Sequence, residues 1–317
     1  MQIFVDTANL DEIRTAIGWG VVDGITTNPS LVKKEVERLK AAGQRVDMAS
    51  HVKDLLSVAG NVVPVSLEVT ATAADEMVAQ GKRLFQQFNP VAGNVVVKIP
   101  VNTYAGSGFE GLKAIKALDD AEIPVNATLV FTPEQALLAA KAGATYVSPF
   151  AGRVDDFIRT QAGVEFSKND YFPAEGLEAE TEEGEDDFWD DNGILSGVDL
   201  VTKISELFEK QEVDCNLLAA SLRNSRQVRE AALAGADAAT VPFSVLKSMV
   251  AHPKTREGME KFTADVMPEY QALVSGESQP QPQPQQPSPQ PQPQPRPAPQ
   301  PGQQPSAHDL ARERQGF

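Results

Sequence analysis

The run Asn94–Pro100 reads NVVVKIP, and Lys98 is a lone cation among three valines and an isoleucine. An amine held among apolar side chains has its ammonium form disfavoured, which leaves neutral amine free to attack a ketone and form a Schiff base. Taken alone, such a lysine could equally reach solvent along its aliphatic stem. Carbonyl chemistry also needs an acid and a base within reach, and the carboxylates of Asp6 and Glu68 close two other apolar runs of this chain.

Similar polar residues close the remaining runs: Asn28, Thr128 with Asn126 in phase before it, Ser148, and Ser221 followed by Arg223. In an extended strand, residues two apart share a face. Ser66 therefore sides with Glu68, Val96 with Lys98, Asn126 with Thr128, and Ser148 with Phe150, while Leu67, Val97 and Ile99 take the opposite face. Single positions have simpler readings: Asp6 as a cap for a helix near Asn9, Asn28 as a turn residue before Pro29, Arg153 and Arg223 as surface ion-pair partners. Together, Arg153, Arg223 and Ser221 would make a phosphate clamp. His51, His252 and Cys215 are read as structural or exposed.

The elements that must position this set are eight apolar runs: Gln2–Asp6, Gly24–Thr27, Val62–Val69, Asn94–Ile99, Pro124–Val130, Ala144–Ser148, Asp214–Ser221 and Ala238–Pro242. Stretches of helical period lie between them, near 9–17, 30–40, 46–59, 73–88, 107–120, 133–142, 196–210 and 224–235, with more at 243–251 and 255–273. Asn28-Pro29-Ser30 and Thr132-Pro133 are helix starts, and Gly143 and Gly235 are stops. Eight strand–helix repeats suit a closed (β/α)8 TIM barrel, whose chemistry sits at the carboxyl ends of its strands. A doubly wound sheet is disfavoured because no GxGxxG follows Gln2–Asp6.

Composition narrows the partners. The 317 residues carry a net charge of -16, which argues against nucleic acid. A single cysteine and three scattered histidines give no disulfide and no zinc-ligand spacing, so no structural metal is expected. The amino terminus lacks a secretory pattern and no apolar run approaches a membrane span, so a soluble cytoplasmic protein is expected. The expected organisation is a catalytic barrel over 1–274, with an acidic insertion at about 165–193 after the sixth strand, and a disordered Pro/Gln-rich tail over 275–317. Between Glu165 and Asp191 there are twelve acidic residues and one lysine, Lys168, which reads as a solvated surface loop; its aromatic residues leave room for a cover near a pocket or a subunit contact.

Several stretches resemble the transaldolase family, especially its short microbial-type members: FVDTANLDEI (4–13), GITTNPSLV (24–32), VSLEVTA (65–71), VVVKIPV (95–101), NATLVF (126–131), YVSPFAGRVDD (146–156), LLAASLRN (217–224) and GADAATVPFSVL (235–246). The resemblance covers roughly 1–163 and 194–273. It implies a barrel with its Schiff-base lysine on the fourth strand, where the strand count independently puts Lys98. It further implies that Asp6 removes the C4 hydroxyl proton and that Glu68, with Thr128, handles a catalytic water. Asn28, Asn126 and Ser148 would hold the dihydroxyacetone hydroxyls, with Thr26 and Phe150 also at the substrate, and Arg153, Ser221 and Arg223 would bind phosphate. The implied partners are sugar phosphates and further copies of the chain in a pentamer-based homo-oligomer. A related group of fructose 6-phosphate aldolases carries glutamine in place of Glu68 and tyrosine in place of Phe150, so the resemblance favours transaldolase over aldolase. A catalytically silent barrel serving as a scaffold is the alternative from another class. The insertion and the tail depart from the family pattern without removing a motif residue.

Overall fold

The computed structural model describes residues 1–61, 63–179 and 187–276. Of the expected Pro/Gln-rich tail over 275–317, all but 275 and 276 lie outside the described residues, as does the middle of the acidic insertion, 180–186.

Eight parallel strands close into a barrel: β1 (Gln2–Asp6), β2 (Gly24–Thr26), β3 (Val65–Glu68), β4 (Val95–Pro100), β5 (Val125–Val130), β6 (Tyr146–Pro149), β9 (Asn216–Ala219) and β10 (Ala238–Pro242). β7 (Leu177–Ala179) and β8 (Asp187–Trp189) form a separate antiparallel pair. Around the barrel run α1 (Leu10–Gly18), α2 (Pro29–Ala41), α3 (Met48–Ala59), α4 (Ala74–Ala92), α5 (Glu110–Asp119), α6 (Pro133–Lys141), α7 (Ala151–Gln161), α8 (Gly197–Lys210), α9 (Ser225–Leu233) and α10 (Phe243–Ser248). The fold is the expected (β/α)8 barrel with an insertion after its sixth strand.

The period-two reading of the strands holds. Leu67, Val97 and Ile99 join the apolar layer between strands and helices, together with Ile115 and Leu118 of α5. Phe4, Leu218 and Ala238 form a small cluster of their own with Tyr146 packed on it, the Phe4 and Tyr146 rings meeting edge to face at 5.8 Å. Gly24 makes room for that plug, because a Cβ there would lie 2.4 Å from the Phe4 ring. Helix starts follow local chemistry: Asn28 accepts from Leu31 N, Thr132 and Gln135 form a reciprocal capping box, and Asn224 accepts from Gln227 N. His51 is structural, its Nε2 lying 2.9 Å from the Ala8 carbonyl oxygen.

Three differences from the sequence expectations stand out. Helix α7 was not anticipated, although Val154 and Ile158 are buried at helical spacing; Asp155 and Arg159 are buried beside them and interrupt the apolar signal. The insertion is more than a solvated loop, since Leu177 pairs with Trp189 across β7 and β8 and Phe172 is buried against the barrel core. The helix expected at 255–273 is two helices, α11 (Pro253–Ala264) and α12 (Pro268–Ser275), because Pro268 restricts Met267 to an extended backbone. These two belong to a second compact unit beginning at Pro253, in which no described residue is buried.

β1 pairs with β10 over five residues, from Gln2 opposite Ala238 to Asp6 opposite Pro242, and this seam closes the barrel. Trp19, which ends α1, stacks on Phe243 at the start of α10 at 5.3 Å.

Candidate active site

The parallel register sets Glu68 beside Lys98 and Lys98 beside Asn126, so three neighbouring strands contribute one row of polar side chains. Lys98 is 5% exposed; its Nζ lies 3.4 Å from Glu68 Oε2 and 3.4 Å from the Thr27 carbonyl oxygen. Burial pushes the Glu68 carboxyl above its ordinary value, opposed by the Lys98 charge. Asp6 is also raised by burial, opposed by a hydrogen bond from Thr26 and by the Lys98 charge. The alternative reading of Asp6 as a helix cap fails, because Asn9 caps α1 and Asp6 Oδ1 accepts from the Thr26 hydroxyl at 2.7 Å.

The Thr26 hydroxyl also lies against that of Thr240. With the Thr26 proton donated to Asp6, Thr240 must donate to Thr26, so a chain of two hydroxyls points at the carboxylate. Thr240 was missed by the sequence reading. It shares its strand face with Ala238 and Pro242, and the same period-two rule would have found it.

A second chain runs through the row's other side. The Ser148 hydroxyl donates to Asn126 Oδ1 at 2.7 Å, and Asn126 Nδ2 donates to Ser66 Oγ at 3.2 Å. Thr128 is fully buried and its Oγ1 has no hydrogen-bond partner. Next to it the β5–β6 register shifts, and Leu129 takes φ +57, which turns it into the cleft. Asn28 lines the cleft with its oxygen committed to the α2 cap, which leaves its amide nitrogen for a ligand.

The cleft has a volume of about 890 Å³ and extends from Lys98, Asp6 and Glu68 to Arg153, Ser221 and Arg223. Of the residues singled out from sequence, Asp6, Asn28, Glu68, Lys98, Phe150, Arg153, Ser221 and Arg223 all line it. Thr26, Asn126, Thr128 and Ser148 are buried and do not line it; Thr26 alone reaches the lining by hydrogen bonds, to Asp6 and Thr240. The Phe150 ring lies between two cations, 5.9 Å from Lys98 Nζ and 5.1 Å from the Arg153 guanidinium. Among the described residues Arg153 has no ion-pair partner.

Arg223 is held more tightly. Its Nη2 donates to Asp156 Oδ2 at 2.8 Å, its backbone N–H donates to Gln227 Oε1 at 2.7 Å, and its buried Nε has no partner. Gln227 in turn donates to Asp155 Oδ2 at 2.6 Å, while Asp155 Oδ1 accepts from Gly197 N at 2.7 Å. Burial pushes Asp155 up to about 7. Ser221 sits at φ +62, and the backbone there approaches α7 so closely that a Cβ on Gly152 would lie 2.2 Å from the Ser221 carbonyl oxygen. Neither Asp155 nor Gln227 was visible as a site residue in the sequence, because their role appears only when α7, α8 and α9 meet. Among the described residues no group of three His, Cys, Asp or Glu side chains is placed to hold a metal ion.

The chain is similar to known proteins over most of its length. Residues 3–278 match the family described as Transaldolase/Fructose-6-phosphate aldolase. A Thermoplasma acidophilum protein named "Probable transaldolase" is 40% identical over 265 residues, covering 84% of this chain and 95% of its own length. Proteins of the same name from Chlorobium chlorochromatii and Bacillus cereus are each 41% identical over 265 residues, covering 84% of this chain and 97% of theirs. An eight-stranded barrel with a buried lysine and two carboxylates at its mouth is thus carried by a sequence that belongs to the transaldolase/fructose-6-phosphate aldolase family.

Proposed function

We propose that the protein is a transaldolase, moving a dihydroxyacetone unit from sedoheptulose 7-phosphate to glyceraldehyde 3-phosphate to give erythrose 4-phosphate and fructose 6-phosphate. The observation that carries this reading is a buried lysine amine 3.4 Å from a half-buried carboxylate, inside a closed barrel. The names of the relatives support it, as do Glu68 and Phe150 where the aldolase group carries glutamine and tyrosine.

In this mechanism the Lys98 amine attacks the C2 ketone, and Glu68 supplies the proton that lets the carbinolamine lose water. The iminium then draws electrons from C3. Asp6 takes the C4 hydroxyl proton, the C3–C4 bond breaks, and its electron pair enters the enamine on Lys98 while the aldose phosphate leaves. The enamine C3 attacks the aldehyde carbon of the incoming acceptor, and Asp6 returns the proton to the new alkoxide. Hydrolysis then frees the ketose, and the partnerless Thr128 Oγ1 suits a water held for that step with Glu68. Asn28, Asn126 and Ser148 offer amide and hydroxyl groups to the three-carbon unit. Arg153, Ser221 and Arg223, which line one end of the cleft, take the phosphate. No step needs a metal or an organic cofactor.

Borohydride reduction in the presence of fructose 6-phosphate, followed by peptide mapping, tests the reading: an adduct on Lys98 is expected, and its absence sinks the proposal. Without an acceptor the wild type should release little free dihydroxyacetone. Phe150→Tyr should release at least about tenfold more, because a phenol near the Lys98 amine can protonate the enamine. Self-association is part of the same reading: α11 and α12 expose Phe262, Met267, Tyr270 and Leu273, an apolar surface suited to a further copy of the chain. Light scattering after size exclusion measures the assembly, and a monomer at micromolar concentration refutes it.

A further inference from the structure

Twelve acidic side chains between Glu165 and Asp191 surround a single basic one, Lys168. Lys168 and its neighbour Asn169 line the same cleft as Lys98, Arg153 and Arg223. Lys168 also borders an adjoining recess of about 420 Å³, shared with Arg153, Asp156 and Arg223. Among the described residues it has no ion-pair partner.

The backbone that presents it is built for the purpose. Asp170 N donates to the Ser167 carbonyl at 2.9 Å and Ser167 N donates to Asp170 Oδ2 at 2.7 Å, closing a turn with Lys168 and Asn169 at its apex. On the α7 side, the buried Arg159 donates to the Asp170 carbonyl at 2.9 Å, with its guanidinium 5.0 Å from the rings of both Phe166 and Phe172. On the α9 side, the Tyr171 hydroxyl donates to Glu230 at 3.0 Å, and the Arg226 guanidinium lies 3.6 Å over the Tyr171 ring. The turn is thus fixed to α7, whose first turn carries Arg153, and to α9, which Arg223 precedes by two residues.

Charge gives the turn a task. Asp156 neutralises one of the two arginines, which leaves a single net positive charge to meet a phosphate that is nearly doubly negative at neutral pH. The chain as a whole, at -16, repels such a ligand. Lys168 supplies the second positive charge at the open side of the cleft.

We propose that Lys168 is a specificity-determining residue, the third cation that recognises the phosphate of sugar-phosphate substrates, and that the insertion exists in this part of the fold to deliver it. The proposal rests on the transaldolase reading of the same cleft. Calorimetric titration with inorganic phosphate tests it independently of Lys98 chemistry: Lys168→Ala should bind about fivefold more weakly and Lys168→Arg within about twofold of wild type, as one exposed charge allows. In steady-state assays, Lys168→Ala should lower kcat/KM for glyceraldehyde 3-phosphate relative to unphosphorylated glyceraldehyde by about five- to tenfold. Lys168 is exposed, so an unchanged melting temperature is expected and confirms that the variant folds. Unchanged phosphate affinity overturns the proposal, as does an equal loss with both acceptors. Failure to trap an adduct on Lys98 would instead overturn the transaldolase reading.

Discussion

Glu68 and Lys98 are register partners on adjacent strands, and their charged atoms stand 3.4 Å apart with both side chains largely out of water. The pair is a proton donor and acceptor held at the amine that would attack the substrate. Glu68→Gln keeps the shape and removes the proton. The expected outcome is a fall in kcat of about 100-fold, with a slower approach to the borohydride-trapped adduct. A kcat within about threefold of wild type would remove Glu68 from the chemistry.

Thr26 tunes Asp6. Its hydroxyl donates to the charged carboxylate, which opposes the upward push of burial. Thr26→Val removes that donor at nearly constant volume, so the Asp6 value should rise further. If Asp6 is the base, the acid limb of kcat/KM should move to higher pH by about one unit, the equivalent of one hydrogen bond. An acid limb that stays where it was would show that Asp6 does not govern it.

Gly152 shapes the Arg223 end of the cleft. A Cβ there would lie 2.2 Å from Ser221 O and 2.6 Å from Arg223 Nε, and neither can retreat, since Arg223 is tied to both Asp156 and Gln227. Gly152→Ala should lower stability by about 1–3 kcal/mol and raise KM for sugar phosphates roughly tenfold, with a smaller change for unphosphorylated acceptors. Denaturant melts and paired KM measurements check both parts.

Asp155 makes folding stability depend on pH in an unusual direction. Its native value of about 7 lies above the ordinary 3.8, so between these the native state holds a proton that the unfolded chain has lost. Stability contributed by that proton is fully present below about pH 4, declines as pH rises, and is gone above about 7. Three pH units at about 1.4 kcal/mol each put the effect on the order of 4 kcal/mol at most. Asp155→Asn does not titrate. The stability of wild type relative to this variant should therefore fall between pH 5 and pH 8, measured by urea unfolding; a constant or rising difference would contradict the assignment.

Lys98, Glu68 and Asp6 were legible in the sequence because a charge at the end of an apolar run is conspicuous, and because period-two alternation assigns its face. The barrel was legible for the same reason: eight such runs recur with helical stretches between them. Thr240 was not, since a hydroxyl between alanine and valine carries no contrast of its own. Lys168 lies in a segment with no period at all, and its placement depends on Arg159 and Glu230, residues from helices that a linear reading cannot bring together. Asp155 lay inside a quoted motif, yet its partners Gly197 and Gln227 are 42 and 72 positions away.

The seam between β1 and β10 has a consequence for the chain as it is made. Gln2 cannot find Ala238, nor Trp19 its stacking partner Phe243, until the ribosome has passed the last barrel strand. At 5–20 residues per second the first strand would spend roughly 10 to 50 s with that edge unpaired. Joining ends so far apart then costs about 5 kcal/mol of loop entropy. Ring closure is therefore the step at which a nascent chain is most exposed to pairing with the wrong neighbour.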